Sequence, residues 1–160
     1  LESGQALTWE GEPRNKTSGS GSLSNHEWVE RDVDNSTGFS VDPNSGKSTT
    51  DVSSSPKLTY CFELSRAGTY FLYLQSNSPD PNSDSVWLGQ EGFPVDTGDR
   101  GIGFYRVDEP YTWAIKGDDG NRLQLELVVG ENCINFWMRE DGVVLTKILI
   151  STNSDLELVL

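Results

Sequence analysis

Apolar and polar positions alternate with a period of two over most of the chain beyond residue 56. In KLTYCFEL, Leu58, Tyr60, Phe62 and Leu64 alternate with Thr59, Cys61 and Glu63. In INFWMR, Ile134, Phe136 and Met138 alternate with Asn135, Trp137 and Arg139. Successive side chains of a strand point to opposite faces, so this pattern predicts strands with one buried face. SRAG turns the first strand into TYFLYLQS, and SPDPNSD carries prolines that forbid regular structure. SVWLGQ reads as a third strand, followed by a long Gly/Asp/Pro-rich loop over 91–110. YTWAI, a tight turn at KGDDGN, then RLQLELVV, NCINFWMR and VVLTKILIS complete the series. No ten-residue window carries a helical period, and no internal repeat is visible. Many short strands between turns predict an all-β fold: a jelly-roll β-sandwich of two antiparallel sheets, with its loops gathered at one end.

The first 57 residues are rich in Ser, Gly, Asn, Asp and Thr, with apolar islands at Ala6–Trp9, Trp28–Val29 and Phe39–Val41. They predict an early strand followed by surface loops that contribute edge strands, and residues 16–24 read equally well as a flexible linker. A length of 160 residues suits a single domain, residues 1–160. The abrupt ends, LESGQ and LELVL, read as a module cut from a larger chain.

Charge narrows the partners. A formal net charge of −13 repels nucleic acid and anionic membranes. No stretch approaches the roughly 20 apolar residues of a membrane span. The acidity fits a secreted, soluble monomer. Cys61 and Cys133 both fall in predicted strands; a cross-strand disulfide and two separate buried thiols are both compatible with the pattern.

Enzyme chemistry finds little support. NSGKST at 44–49 lacks the first glycine, the strand and the helix of a phosphate loop. DVDNSTG at 32–38 and DPNSDS at 80–85 approach a calcium-loop spacing but miss the glycine. His26 is the only histidine, there is no G-x-S-x-G pattern, and zinc sites rich in His or Cys are excluded by count. Glu140 and Asp141 would point to opposite faces if extended, which suits a turn better than a glycosidase pair. Aromatic residues are more informative, because sugar rings stack on them while hydroxyls bond to nearby amides and charges. Trp28 and Trp113, with Tyr105 and Tyr111, fall in or beside predicted loops; Trp9 and Trp137 are assigned to core or partial burial.

RAGTYFLYLQSNSPDPNSDSVWLGQEG together with GENCINFWMREDGVVLTKILIS resembles the galactose-binding-like β-sandwich carbohydrate-binding modules of families 6 and 35, and the C-terminal domain of family 115 glycoside hydrolases. The likeness covers residues 56–152 and rests on the paired S-D-S and R-E-D-G segments. It implies a non-catalytic module that holds a secreted polysaccharide-degrading enzyme near its glycan. The implied sugar site lies in the loops at one end of the sandwich, with Trp113 as the later aromatic, Trp28 as the candidate early aromatic, and Arg139, Glu140 and Asp141 from the last hairpin. Asp84 enters either as a ligand contact or as a salt bridge to Arg139, and Tyr111 completes the set. The resemblance also implies a structural calcium ion held by Glu10 and Glu12 of WEGE, with Thr146 standing where an Asp is expected. The expected partners are a polysaccharide or oligosaccharide, a marine algal glycan among the candidates, and the parent enzyme's catalytic domain. The overall charge favours a neutral glycan over a densely anionic one. Two other readings compete: a structural or adhesive sandwich that binds a protein partner, and a small two-carboxylate glycosidase or lyase.

Overall fold

The protein was described from a computed structural model, which places residues 6–9, 12–33, 36–90, 93–94, 102–103, 111–156 and 158. The predicted architecture is the observed one: two antiparallel sheets packed face to face, with two short 3-10 turns, Gly21–Leu23 and Val52–Ser54, as the helical elements among the described residues.

The first sheet is built on β6 (Gly68–Asn77) and β13 (Val144–Ser151), with β4 (Ser36–Asp42) and β3 (Glu27–Val33) continuing to one edge. At the other edge, β10 (Thr112–Ala114) and β11 (Gln124–Leu127) both pair with β6, while β1 (Ala6–Trp9) pairs with β13. The second sheet runs β2 (Asn15–Thr17), β5 (Lys57–Leu64), β12 (Gly130–Met138), β7 (Ser85–Gln90) and β8 (Phe93–Pro94), with β9 (Ile102–Gly103) also on β7.

Alternation places the core where the sequence puts it. Leu58, Tyr60, Phe62 and Leu64 of β5 meet Ile134, Phe136 and Met138 of β12, and these face Leu72, Leu74, Ile148 and Ile150 of the first sheet. A register shift between Leu145 and Lys147 lets β13 turn both Leu145 and Ile148 inward. Cys61 and Cys133 stand directly opposite each other on the outer face and are disulfide-bonded. Their Cα separation of 4.1 Å belongs to the closely spaced kind of antiparallel pair, which settles the choice the sequence leaves open.

The N-terminal third is more ordered than its composition suggests. The islands at Trp28 and Phe39–Val41 lie in β3 and β4, and β4 is an interior strand, not an edge, because β13 pairs with it on one side and β3 on the other. Residues 15–17 form β2, and Leu23 is buried, so the 16–24 segment is packed structure and not a linker.

Candidate functional site

Strand ends and register gather five segments at one end of the sandwich. β6 and β12 finish there, β7 and β13 begin there, and Tyr111 leads into β10 opposite the last residues of β6. The turn at residues 139–143 sits at the centre of this end and holds the others in place.

Asp141 is the anchor. It is 0% exposed, and its carboxylate accepts from Ser45 N (2.8 Å), Ser45 Oγ (3.0 Å) and Lys47 N (2.9 Å). His26 Nε2 lies 3.5 Å from the same carboxylate, while its Nδ1 meets Asn25 Oδ1 at 2.9 Å. Main-chain bonds reinforce the link: Asp141 N donates to Lys47 O and Thr49 N to Arg139 O. Gly142 follows with φ 88°, and a Cβ there would lie 2.6 Å from both Asn44 Nδ2 and Ser83 Oγ. Only glycine accepts this conformation and this crowding together. The predicted ligand role of Asp141 is therefore corrected: its sealed carboxylate takes two main-chain N–H groups and a hydroxyl of the 45–47 loop, so it organises the end instead of touching a solute.

Glu140 and Arg139 point the other way. Arg139 lies on the outer face of the second sheet, its guanidinium 6.0 Å above the Trp87 ring and bonded through Nη1 to Ser85 Oγ and to Glu140 Oε1 (2.8 Å). Glu140 Oε2 accepts from Ser85 Oγ (2.6 Å) and Asp84 N (3.1 Å). Burial, then a hydrogen bond with Glu140, pushes the Asp84 carboxyl up to about 6. Burial pushes Glu140 upward as well, but the Ser85 hydroxyl, Asp84 and the Arg139 charge outweigh it and hold Glu140 below its ordinary value. The ion pair formed here is Arg139 with Glu140, and the Asp84 carboxyl is hydrogen-bonded to Glu140. Trp87 was missed from sequence because SVWLGQ is apolar on both faces and shows no period. It stands opposite Trp137 in the register of β7 and β12, and Lys57 Nζ lies 6.0 Å over Trp137.

The aromatics divide sharply. Trp28 is 4% exposed, belongs to the core, and donates from Nε1 to Pro56 O at 3.0 Å. The expectation that it is an exposed early aromatic is wrong: an inward position on β3 seals it against β5. Trp113 is half-buried, with its Nε1 buried and unpartnered. It pairs with Gln75, next to the inward pair Ala114–Leu74, so it faces outward from the first sheet while Arg139 faces outward from the second. These two do not stand side by side. Tyr111 is the one non-glycine with positive φ (63°) among the described residues, and it sits at the loop end itself. Two strand spacings, β10 to β6 to β13, put it about 10 Å from the start of β13, directly after the turn. An aromatic side chain held in the left-handed region carries a backbone cost that ordinary packing does not require.

The predicted calcium ligands are described only in part. Glu10 lies outside the described residues. Glu12 is exposed, with Lys16 Nζ at 3.8 Å and a hydrogen bond to Glu30 that raises the Glu30 carboxyl. Thr146 is buried and donates to Gln75 O and Oε1, both at 3.1 Å, so its hydroxyl is committed. Among the described residues, no three His, Cys, Asp or Glu side chains converge as a metal cage.

No protein-family model matches the chain, and no curated protein matches it in sequence. Solved structures do match. A family 35 carbohydrate-binding module from Clostridium thermocellum is 15% identical, with 91% of this chain covering 98% of that one at a TM-score of 0.56. The C-terminal CBM6 of LamC, a marine laminarinase from Zobellia galactanivorans, is 11% identical over 92% of this chain and 100% of that one, TM-score 0.55. An isomaltodextranase of Arthrobacter globiformis T6, in complex with panose, matches at 14% identity and a TM-score of 0.58 over 91% of this chain; that match spans only 23% of the enzyme's own length. By its two sheets and these likenesses, the chain has the galactose-binding-like β-sandwich fold of carbohydrate-binding modules of families 6 and 35.

Proposed function

We propose that this chain is a non-catalytic carbohydrate-binding module that tethers a secreted polysaccharide-degrading enzyme to its glycan, with the sugar bound at the loop end. The observation that carries the reading is Tyr111: an aromatic kept in a left-handed backbone, at the rim of a loop cluster that Asp141 fixes from within. A ring stacked on Tyr111 would leave a neighbouring sugar unit, about 10 Å away, opposite the turn that carries Arg139 and Glu140. Trp113 lies two residues further, on the outward face, and would extend the stacking surface along β10. The fold shared with modules of families 6 and 35 supports the reading.

The split between Asp84 and Glu140, one carboxyl raised and the other lowered, is the feature that favours an enzyme. Their direct hydrogen bond argues against it. Glycosidase carboxyls stand about 5 Å or more apart, with the scissile bond between them. A shallow rim buries little surface, so single-site binding should be weak. The test is affinity electrophoresis of the chain through gels containing a panel of neutral and anionic polysaccharides, with reducing-sugar release measured in parallel. Retardation by at least one glycan without product release supports the module. Product release would make it an enzyme, and no retardation by any glycan would favour a protein-binding sandwich.

A further inference from the structure

His26, the only histidine of the chain, is 2% exposed and lies against the turn that anchors the loop end. Its main chain is fixed on both sides: His26 N donates to Leu23 O and Gly19 N donates to His26 O, both at 2.8 Å. The ring is therefore held in place by the backbone, and its two nitrogens meet different neighbours. Nδ1 lies 2.9 Å from Asn25 Oδ1, an acceptor, so Nδ1 carries a proton. Nε2 is buried and makes no hydrogen bond, and the nearest charge to it is Asp141 Oδ2 at 3.5 Å.

A neutral ring with its proton on Nδ1 would turn a bare Nε2 lone pair toward a carboxylate oxygen, in a place closed to solvent. Two acceptors would face each other with no donor between them. A second proton, on Nε2, reverses the sign of this contact. The imidazolium presents N–H to an acceptor on each side, and Asp141 gains the positive charge that its three neutral donors do not supply. The other ionisable side chains on the elements around the ring are exposed or engaged elsewhere. Glu27 is exposed at the start of β3, and Asp42 at the end of β4 pairs with Arg31. Lys47 is exposed and meets Asp141 through its main chain, Asp51 accepts from Ser53, and Glu140 is bonded to Ser85 and Arg139.

We infer that His26 is a positioning residue for the sugar site: as an imidazolium it holds Asp141 and, through it, both the 45–47 loop and the turn at 139–143. When pH rises, the proton leaves Nε2 for water, the ion pair is lost, and the loop end loosens. Glycan retention then falls on the alkaline side. That last step rests on the loop end being the sugar site, whereas the tie between His26 and Asp141 does not.

The experiment takes the full chain through a pH series with three readouts. Ring-nitrogen NMR follows the two protons of His26, hydrogen exchange follows the Ser45 and Lys47 amides that bond Asp141, and gels of laminarin and of galactomannan follow retention. Exchange is expressed as protection, corrected for the intrinsic effect of pH. As Nε2 loses its proton, protection of the two amides should fall about tenfold, and the glycan concentration for half-retardation should rise by about the same factor. His26→Gln keeps a side-chain donor without a titrating charge, so it should remove the pH step in protection. Asp84→Asn should leave that step in place, which separates it from the Asp84 carboxyl at the same end. Protection that stays constant while Nε2 is deprotonated would overturn the inference, as would a step that survives His26→Gln. Loss of the proton from Nδ1 instead of Nε2 would overturn it too, since the N–H toward Asp141 would remain, and so would a ring that keeps both protons up to alkaline unfolding. Falling protection with unchanged retention, or with no retention in either gel, would support the His26 tie and count against the loop end as the sugar site.

Discussion

At the turn over residues 139–143, Asp84, Glu140 and Asp141 all have hydrogen-bond partners, and Asp141 alone takes three donors from the 45–47 loop. About 20 Å along the same sheet, Glu63 and Glu131 face each other, and one arginine answers only one of them. The same residue type plays opposite parts because the two regions are held together differently. The loop end has no covalent tie, so carboxylates must bind the main chain of otherwise irregular segments. The region around Glu63 and Glu131 is held by paired strands and a disulfide, so its carboxylates are not needed to hold the backbone.

This contrast can be broken from the covalent side first. Replacing Cys61 and Cys133 by Ser opens a tie across 72 residues and should cost about 4 kcal/mol in urea denaturation. A loss below a third of that would mean the strands alone hold this region. Asp141→Ala should cost about 3 kcal/mol, since it removes three hydrogen bonds to a fully buried carboxylate; an unchanged urea midpoint would remove Asp141 as the anchor.

The pH dependence sharpens the comparison further. Asp84 binds its proton more tightly folded (about 6) than unfolded (3.8). Between those values the native state holds the extra proton, so stability falls as pH rises from about 4 to about 6. Glu140 has the opposite sign: its lowered value adds stability that is present above 4.5 and lost as pH falls through its folded value. Asp84→Asn should flatten the decline between pH 4 and 6, seen as melting temperature against pH. A slope that survives the substitution would assign it to another group. Beside the disulfide, Glu131→Gln should change stability by less than about 0.5 kcal/mol, the range of an exposed pair. A cost like that of Asp141→Ala would mean that Glu131 also holds the backbone there.

Much of this was readable in the residues and some was not. The inward set on β5 and β12 follows from alternation alone, because one face of β5 is apolar throughout and that of β12 is apolar from Ile134 to Met138. The chain cannot reveal who covers whom across long loops. Trp28 is followed by Val29 in a polar setting and reads as exposed, yet β5 and Pro56 close over it. Asp141 sits in a D-G turn that resembles any solvated hairpin tip, and its burial depends on segments almost 100 positions away. His26, the chain's only histidine, was the available hint, since a lone histidine near an acidic turn can supply its partner. Trp87 was hidden because a strand buried on both faces loses its period.

The central claim is that Tyr111 is held in a costly backbone state in order to bind sugar. Tyr111→Gly should remove the strain, raising stability by about 1 kcal/mol, while abolishing retardation in the polysaccharide gel that slows the unaltered chain. If the glycine variant is retarded as strongly as the parent, the loop end is not the sugar site and the account fails.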